Sequence, residues 1–406
     1  MDVSVAEAGE GIKSQRGQAR REALDLVCAC LAPARRPMPE VGAIDPDLLA
    51  RVARRHQVSA LVAARLTETG QPVPEQLRSQ ADTAQRRALM QLGVALELVE
   101  MLENAGIPTV LLKGVALSQR AFGSPLLRGA VDIDLLIRPH DVGAAWQALE
   151  RAGLRQINPP VPLKGARLAL FCRAAKDSLH RHPGGGPVLE LHWRLADEMA
   201  EPLMPAETEL TTIMLAPGQN VRMLDDPTLF LYLCTHGAAH GWARLKWLAD
   251  VAALLHRSSD GGRRLWLHAA ARGGAIAAGS AIILAQELFE LAPPPGFRVP
   301  RGFRIAVLLW LARRILRAGE GARELEATPW RGWAEMLAKM LVAAGWRGRL
   351  AVLRRIVLSG EDIARVPLPK GLIWLYPLLR IPLLIQRRAA RWRRLRGTGR
   401  AGNTAS

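Results

Sequence analysis

The sequence predicts an α+β fold, a small mixed sheet with helices flanked by helical regions on both sides, and three observations carry that prediction. Apolar residues recur at helical spacing through residues 22–104, most clearly in residues 86–103 (RRALMQLGVALELVEMLE). Short β-rich runs then cluster between residues 106 and 195. From about Pro205 onward the pattern returns to helix. The abundance of Ala, Leu and Arg favours helix throughout.

Taken in order, residues 1–20 read as a flexible leader and residues 21–105 as an N-terminal helical region punctuated by Pro37-Met38-Pro39 and Gly70-Gln71-Pro72. Residues 106–195 form the α/β core. Within it, Ile107-Pro108-Thr109-Val110-Leu111-Leu112 is a first strand ended by Lys113-Gly114, with a helix from Val115. Residues 131–137 are a second strand, and a helix covers about residues 141–152. Residues 178–182 and 187–193 flank Pro183-Gly184-Gly185-Gly186, which suits a hairpin. Residues 196–396 are a C-terminal helical region broken at Pro293-Pro294-Pro295 and near Pro367 and Pro369, and residues 397–406 read as a disordered tail. No internal repeat is visible.

Of the 406 residues, 49% are apolar and 23% charged, the balance of a folded chain. The net charge of +18 points to anionic partners such as nucleotides, nucleic acid or a lipid surface, although an Arg-rich composition from a GC-rich genome gives the same excess. Cys28, Cys30, Cys172 and Cys234 match no zinc spacing, so reduced thiols in a cytoplasmic protein are expected. The N-terminus lacks the apolar core of a secretory signal. No run approaches the roughly 20 apolar residues of a membrane span.

The chemistry-bearing pattern is Val131-Asp132-Ile133-Asp134-Leu135-Leu136-Ile137. Alternation along a strand sends Asp132 and Asp134 out of the same face. Two like charges on a partly buried face need neutralising, and oxygen ligands point to Mg²⁺ or Mn²⁺. A lone DxD at a strand end can equally meet solvent, so its context matters. Gly114 lies at a strand-to-helix junction where backbone N–H groups can approach phosphate oxygens. Lys113 adds a cation and Ser118 a hydroxyl one turn on, although no Walker A loop is present. Glu190, between Leu189 and Leu191, either completes a metal cluster or takes the proton of an attacking hydroxyl, and His192 shares its face.

Leu111-Leu112-Lys113-Gly114, Arg128 and Asp132-Ile133-Asp134-Leu135-Leu136-Ile137 together resemble the polymerase-β-like nucleotidyltransferase superfamily. The closest resemblance is to its bacterial branch of uncharacterised nucleotidyltransferases, through Glu190-Leu191-His192-Trp193 and residues 236–250 (HGAAHGWARLKWLAD). It spans about residues 85–385. The departure is Lys113-Gly114-Val115 where the superfamily has Gly-Gly or Gly-Ser, which weakens the expectation that this turn cradles a triphosphate.

The resemblance implies a nucleotidyltransferase-type sheet and a metal-dependent enzyme. Such an enzyme passes a nucleoside monophosphate from an NTP to a hydroxyl acceptor, a sugar, a peptide or RNA, and releases pyrophosphate. Asp132, Asp134 and Glu190 would be its catalytic residues and hold Mg²⁺ or Mn²⁺. Lys113, Gly114, Ser118, Arg128, Arg244 and Lys246 would contact the nucleotide, with Asp250 orienting one of the cations. The alternative is a non-catalytic nucleotide- or RNA-binding module on the same fold. His236 and His240 lie one helical turn apart and read as packed histidines rather than a zinc pair. Residues 371–396 join an apolar stretch to an Arg run. That suits either a terminal helix packed on the core or a peripheral contact with an anionic membrane. The sequence does not specify the oligomeric state.

Overall fold

The computed structural model describes residues 3–34, 36–196, 205–317, 331–358, 360–366, 368, 370–376, 378–380 and 382. Four helices come first: α1 (Val3–Leu31), α2 (Pro46–His56), α3 (Ser59–Glu68) and α4 (Glu75–Asn104). The expected leader is thus helical over most of its length. Its Ala, Glu, Gln and Arg are good helix formers, and from Ala23 onward the same helix buries Leu26 and Val27 in the core. Asp45 starts α2 by accepting a hydrogen bond from the Asp47 N–H at 2.9 Å, ahead of Pro46 in the first turn.

The core sheet has five strands: β1 (Val110–Leu111), β2 (Asp132–Leu136), β3 (Arg155–Asn158), β4 (Asp177–Arg181) and β5 (Val188–His192), in the order β1-β2-β5-β4-β3. β2 runs parallel to β5, and the other pairings are antiparallel. Helices α5 (Val115–Phe122), α6 (Val142–Arg151) and α7 (Gly165–Ala174) connect them. The sheet and its helices match the expected α+β class. The hairpin of β4 and β5 closes through the predicted glycine turn, while β3 gave no strong sequence signal.

From Pro205 the described chain is mostly helical, but it opens with strands that the sequence reading did not place: β6 (Leu210–Ala216) and β7 (Gln219–Leu224) form a separate antiparallel hairpin. Its turn is Pro217-Gly218, with Gly218 at φ 75°, a left-handed conformation that costs glycine little. That dipeptide between β-branched residues was the available sequence signal.

Helices then resume as α8 (Asp226–Ala239), α9 (Leu245–Arg257), α10 (Arg263–Ala271), α11 (Ala275–Phe289), α12 (Phe303–Arg317), α13 (Arg331–Val342), α14 (Gly345–Val357) and α15 (Gly360–Arg365). The apolar stretch around residues 229–255 is two helices rather than one. Gly241 and Trp242 take positive φ and turn the chain so that the Trp242 indole covers Gly237, where any Cβ would lie 2.2 Å from the ring.

A contiguous apolar core joins all three regions, from Leu26 and Leu49 through Leu135 and Leu191 to Leu248 and Leu308. Among the described residues no helix is long and apolar enough to cross a membrane. Of the apolar-basic terminus, Tyr376 is buried and donates its hydroxyl to the Val366 carbonyl, and Arg380 pairs with buried Asp362 at 2.9 Å. Residues 383–396 and the expected tail at 397–406 lie outside the described residues.

Candidate active site

The register of two parallel strands builds the site. Asp134 of β2 is paired with Glu190 of β5, Asp132 precedes it by two residues, and His192 follows Glu190 by two. Period-two alternation therefore sends all four side chains from one face of the sheet. Ligand atoms of Asp134, Glu190 and His192 lie within 4.8 Å of one another. His192 Nε2 is 3.1 Å from Asp134 Oδ1 and 3.4 Å from Glu190 Oε2. The tight group is thus one aspartate, one glutamate and a histidine, whereas the sequence pointed to two aspartates and a glutamate. Asp132 is not part of it, although it remains on the same face and close enough to feel the charge of Asp134.

The four groups sit in different environments. Asp134 is buried, and desolvation alone would raise its pKa. The Lys113 ammonium at 2.9 Å and the His192 hydrogen bond outweigh that and hold its carboxyl well below the usual range. Asp132 is half-buried, and burial together with the charge of Asp134 pushes it up to about 6 against the pull of Lys113. Burial opposes the charged form of His192, but hydrogen bonds that it donates to the Asp134 and Glu190 carboxylates raise its pKa. Glu190 keeps 26% of its side chain exposed, against 2% for Asp134. Glu190 and Asp132 are thus partly accessible, while Asp134 is buried.

The candidate phosphate contacts divide. Gly114 caps the N-terminus of α5 at φ 65°, ψ −126°, which favours glycine. Lys113 is turned inward, bound to Asp134 and 5.9 Å from the centre of the Tyr232 ring, so its charge serves the carboxylate. Ser118 is fully buried. Its hydroxyl donates to the Ser124 carbonyl at 2.6 Å and accepts from the Arg128 N–H at 2.9 Å, so it organises the loop before β2. Arg128 is held by Asp250, with Nε 2.7 and 2.9 Å from the two carboxylate oxygens. Asp250 thus orients Arg128, and its charge also acts on Lys246.

Lys246 is buried, and its Nζ donates to Gln57 Oε1 at 2.5 Å and lies 3.4 Å from the Gly129 carbonyl. Among the described residues no carboxylate is within ion-pairing distance of it. Burial and the charge of Arg128 push its pKa down to about 7. Arg244 caps α9, half-buried, and its charge acts on both Lys246 and His56.

Residues 55–57 went unnoticed in the sequence and join this site to the N-terminal helices. Arg55 donates to the carbonyls of Leu316 and Ile315, buried His56 accepts the Leu245 N–H at 3.2 Å through Nδ1, and Gln57 holds Lys246. His236 and His240 pack side by side, 4.8 Å between ring centres, with Trp247 5.5 Å from each. Burial lowers the His236 pKa well below the usual value.

The donor chemistry fits a divalent cation. Clustered carboxylates and an imidazole on one face suit it, and a dication would relieve the mutual repulsion that raises Asp132. A model of the uncharacterised nucleotidyltransferase family matches residues 42–290, more than half of the chain. The chain belongs to that family. The match takes in β2, β5 and α9 as well as Lys113, Arg128 and Arg244, so it covers every acid and cation of the candidate site.

No curated protein matches the sequence. Among solved structures, an antigenic nucleotidyltransferase-like protein from Paracoccidioides brasiliensis is similar over 50% of this chain and 94% of that one, at 14% identity and a TM-score of 0.29.

Proposed function

We propose that this family member is a metal-dependent nucleotidyltransferase that joins a nucleoside monophosphate to a hydroxyl acceptor and releases pyrophosphate. The observation that carries the reading is the register pairing of Asp134 with Glu190 on parallel strands, with Asp132 and His192 on the same face. Membership of the nucleotidyltransferase family supports it. The order of the sequence blocks further suggests the polymerase-β-like superfamily.

Asp132, Asp134 and Glu190 would hold Mg²⁺ or Mn²⁺, with His192 fixing the Asp134 carboxylate. When bound, the cation supplies Lewis-acid stabilisation of phosphoryl charge. Glu190, more open than Asp134, is suited to take the proton of the acceptor hydroxyl. The hydroxyl oxygen forms a bond to the α-phosphorus, the bond from that phosphorus to the β-bridging oxygen breaks, and pyrophosphate leaves. Lys246, which meets no carboxylate within ion-pairing distance among the described residues, offsets the charge that develops on it, together with Arg244 nearby. Lys113 tunes Asp134, and Gly114 lets the backbone turn close to Asp132.

The acceptor class stays open among sugar, peptide and RNA, and a cytoplasmic site of action is part of the proposal. Incubation with each labelled NTP and Mg²⁺ or Mn²⁺, with and without cell extract or total RNA, tests the reading. Pyrophosphate release is expected, and Asp134→Ala should lower it by a factor of about 1,000 or more. NTP binding with no turnover under any of these conditions would overturn the reading in favour of a binding module.

A further inference from the structure

Beside the carboxylates lies a cleft of about 350 Å³ between α2, α3, α4 and the loop before β2. That volume is at the lower end of the range for small-molecule pockets, roughly 300–1,000 Å³. Its location is informative. Val131 lines it, one residue before Asp132, and Gln57 and Gly129 line it while holding the Lys246 ammonium.

The lining charge has one sign. Arg54 and Arg87 contribute to the wall, both exposed, and no Asp or Glu does. Neither arginine has an acidic partner among the described residues. Behind the wall, Lys246 is a buried cation whose neighbours are an amide and a carbonyl rather than a carboxylate. Burying an ammonium with only neutral partners is costly, and an anion beside it removes much of the cost.

Gln57 closes α2 in the left-handed conformation common at helix C-termini (φ 57°, ψ 43°), and from there it lines the cleft while its side-chain oxygen accepts from Lys246 Nζ.

We propose that this cleft is a phosphate-binding subsite for a small phosphorylated substrate. Arg54 and Arg87 grip the phosphate, and Gln57 relays the Lys246 charge. The substrate reaches the carboxylates past Val131. The assignment to a transfer reaction rests on the function proposed above; the binding of phosphate does not. Two sources share this chemistry, the β,γ-phosphates of the donor nucleotide and a phosphate carried by the acceptor. Paired arginines suit both, because the guanidinium fork matches phosphate oxygens.

The test is calorimetric titration of the full chain in EDTA with inorganic tripolyphosphate and with a hexose 1-phosphate. It compares wild type, Arg54→Gln/Arg87→Gln, and Arg298→Gln/Arg301→Gln as a charge-matched double control away from the cleft. At least one anion is expected to bind wild type. That binding should weaken tenfold or more in Arg54→Gln/Arg87→Gln and change little in the control. Dependence for tripolyphosphate assigns the cleft to the donor tail; dependence for the hexose phosphate alone assigns it to the acceptor. If both depend on the arginines, a raised KM for NTP in Arg54→Gln/Arg87→Gln selects the donor.

No binding to wild type overturns the proposal. So does binding that survives loss of both arginines, or falls equally in the control. Arginine-dependent binding without turnover leaves the cleft standing while the transferase reading fails. Turnover with arginine-independent binding does the reverse.

Discussion

Arg128 and Lys246 are both buried cations beside α9, and the protein treats them in opposite ways. Arg128 meets Asp250 through Nε contacts of 2.7 and 2.9 Å to its two oxygens, so one charge is matched by another inside the core. Lys246, one helical turn earlier, receives a glutamine oxygen and a backbone carbonyl. The matched pair fixes the loop that leads into β2. The unmatched lysine is kept at a cost in stability, which makes it the better candidate for meeting an anionic substrate.

Breaking the matched pair is the largest expected effect. Arg128→Met leaves Asp250 charged and buried, and should cost about 3–5 kcal/mol in denaturant unfolding. The double variant Arg128→Met/Asp250→Leu removes both charges and should regain most of the loss. A cost below about 1 kcal/mol for Arg128→Met would show that the pair is not a structural anchor.

Next in size is the lysine. Lys246→Met should lower nucleotidyl transfer roughly 100-fold, the scale of losing one charge on a leaving group. The same variant should hold or raise stability, by about 1–3 kcal/mol, because a buried unmatched ammonium disappears. Loss of both activity and stability would place Lys246 with Arg128 and end the contrast.

These two cations also mark how far the sequence could be read. Asp132, Asp134 and Glu190 were legible because a strand's period of two is local: the spacing alone puts Asp132 with Asp134 and Glu190 with His192. The hairpin of β4 and β5 was legible from its glycine turn. The partners of the cations were not. Arg128 finds Asp250 and Lys246 finds Gln57 across long stretches of chain, and such contacts leave no periodic trace. Asp250 lies one helical turn after Lys246 and its charge reaches that lysine, but local spacing gives no sign that its hydrogen bonds go to Arg128. His192 was placed on the correct face, but its position against Asp134 depends on the register of β2 with β5. The hairpin of β6 and β7 was lost among apolar residues that also suit helix.

The smallest effect sharpens the contrast without disturbing the fold. Lys246 has its pKa pushed down to about 7 in the folded chain, from 10.5 in the free side chain. Below pH 7 both states carry the proton, and the folded state bears the whole cost of the buried charge. Between pH 7 and about 10 the folded lysine is neutral while the unfolded one is still protonated, so unfolding takes up a proton and stability rises with pH. The rise is at most about 1.4 kcal/mol per pH unit. Cys28 and Cys30, raised to about 12 by burial, pull the other way above pH 9, where unfolded thiols ionise first. The comparison is therefore the difference between wild type and Lys246→Met, in which the thiols cancel. The advantage of the methionine variant should be largest at pH 6–7 and shrink steadily toward pH 9. A difference that stays flat over that range would mean that Lys246 remains charged in the folded protein, matched by a partner as Arg128 is.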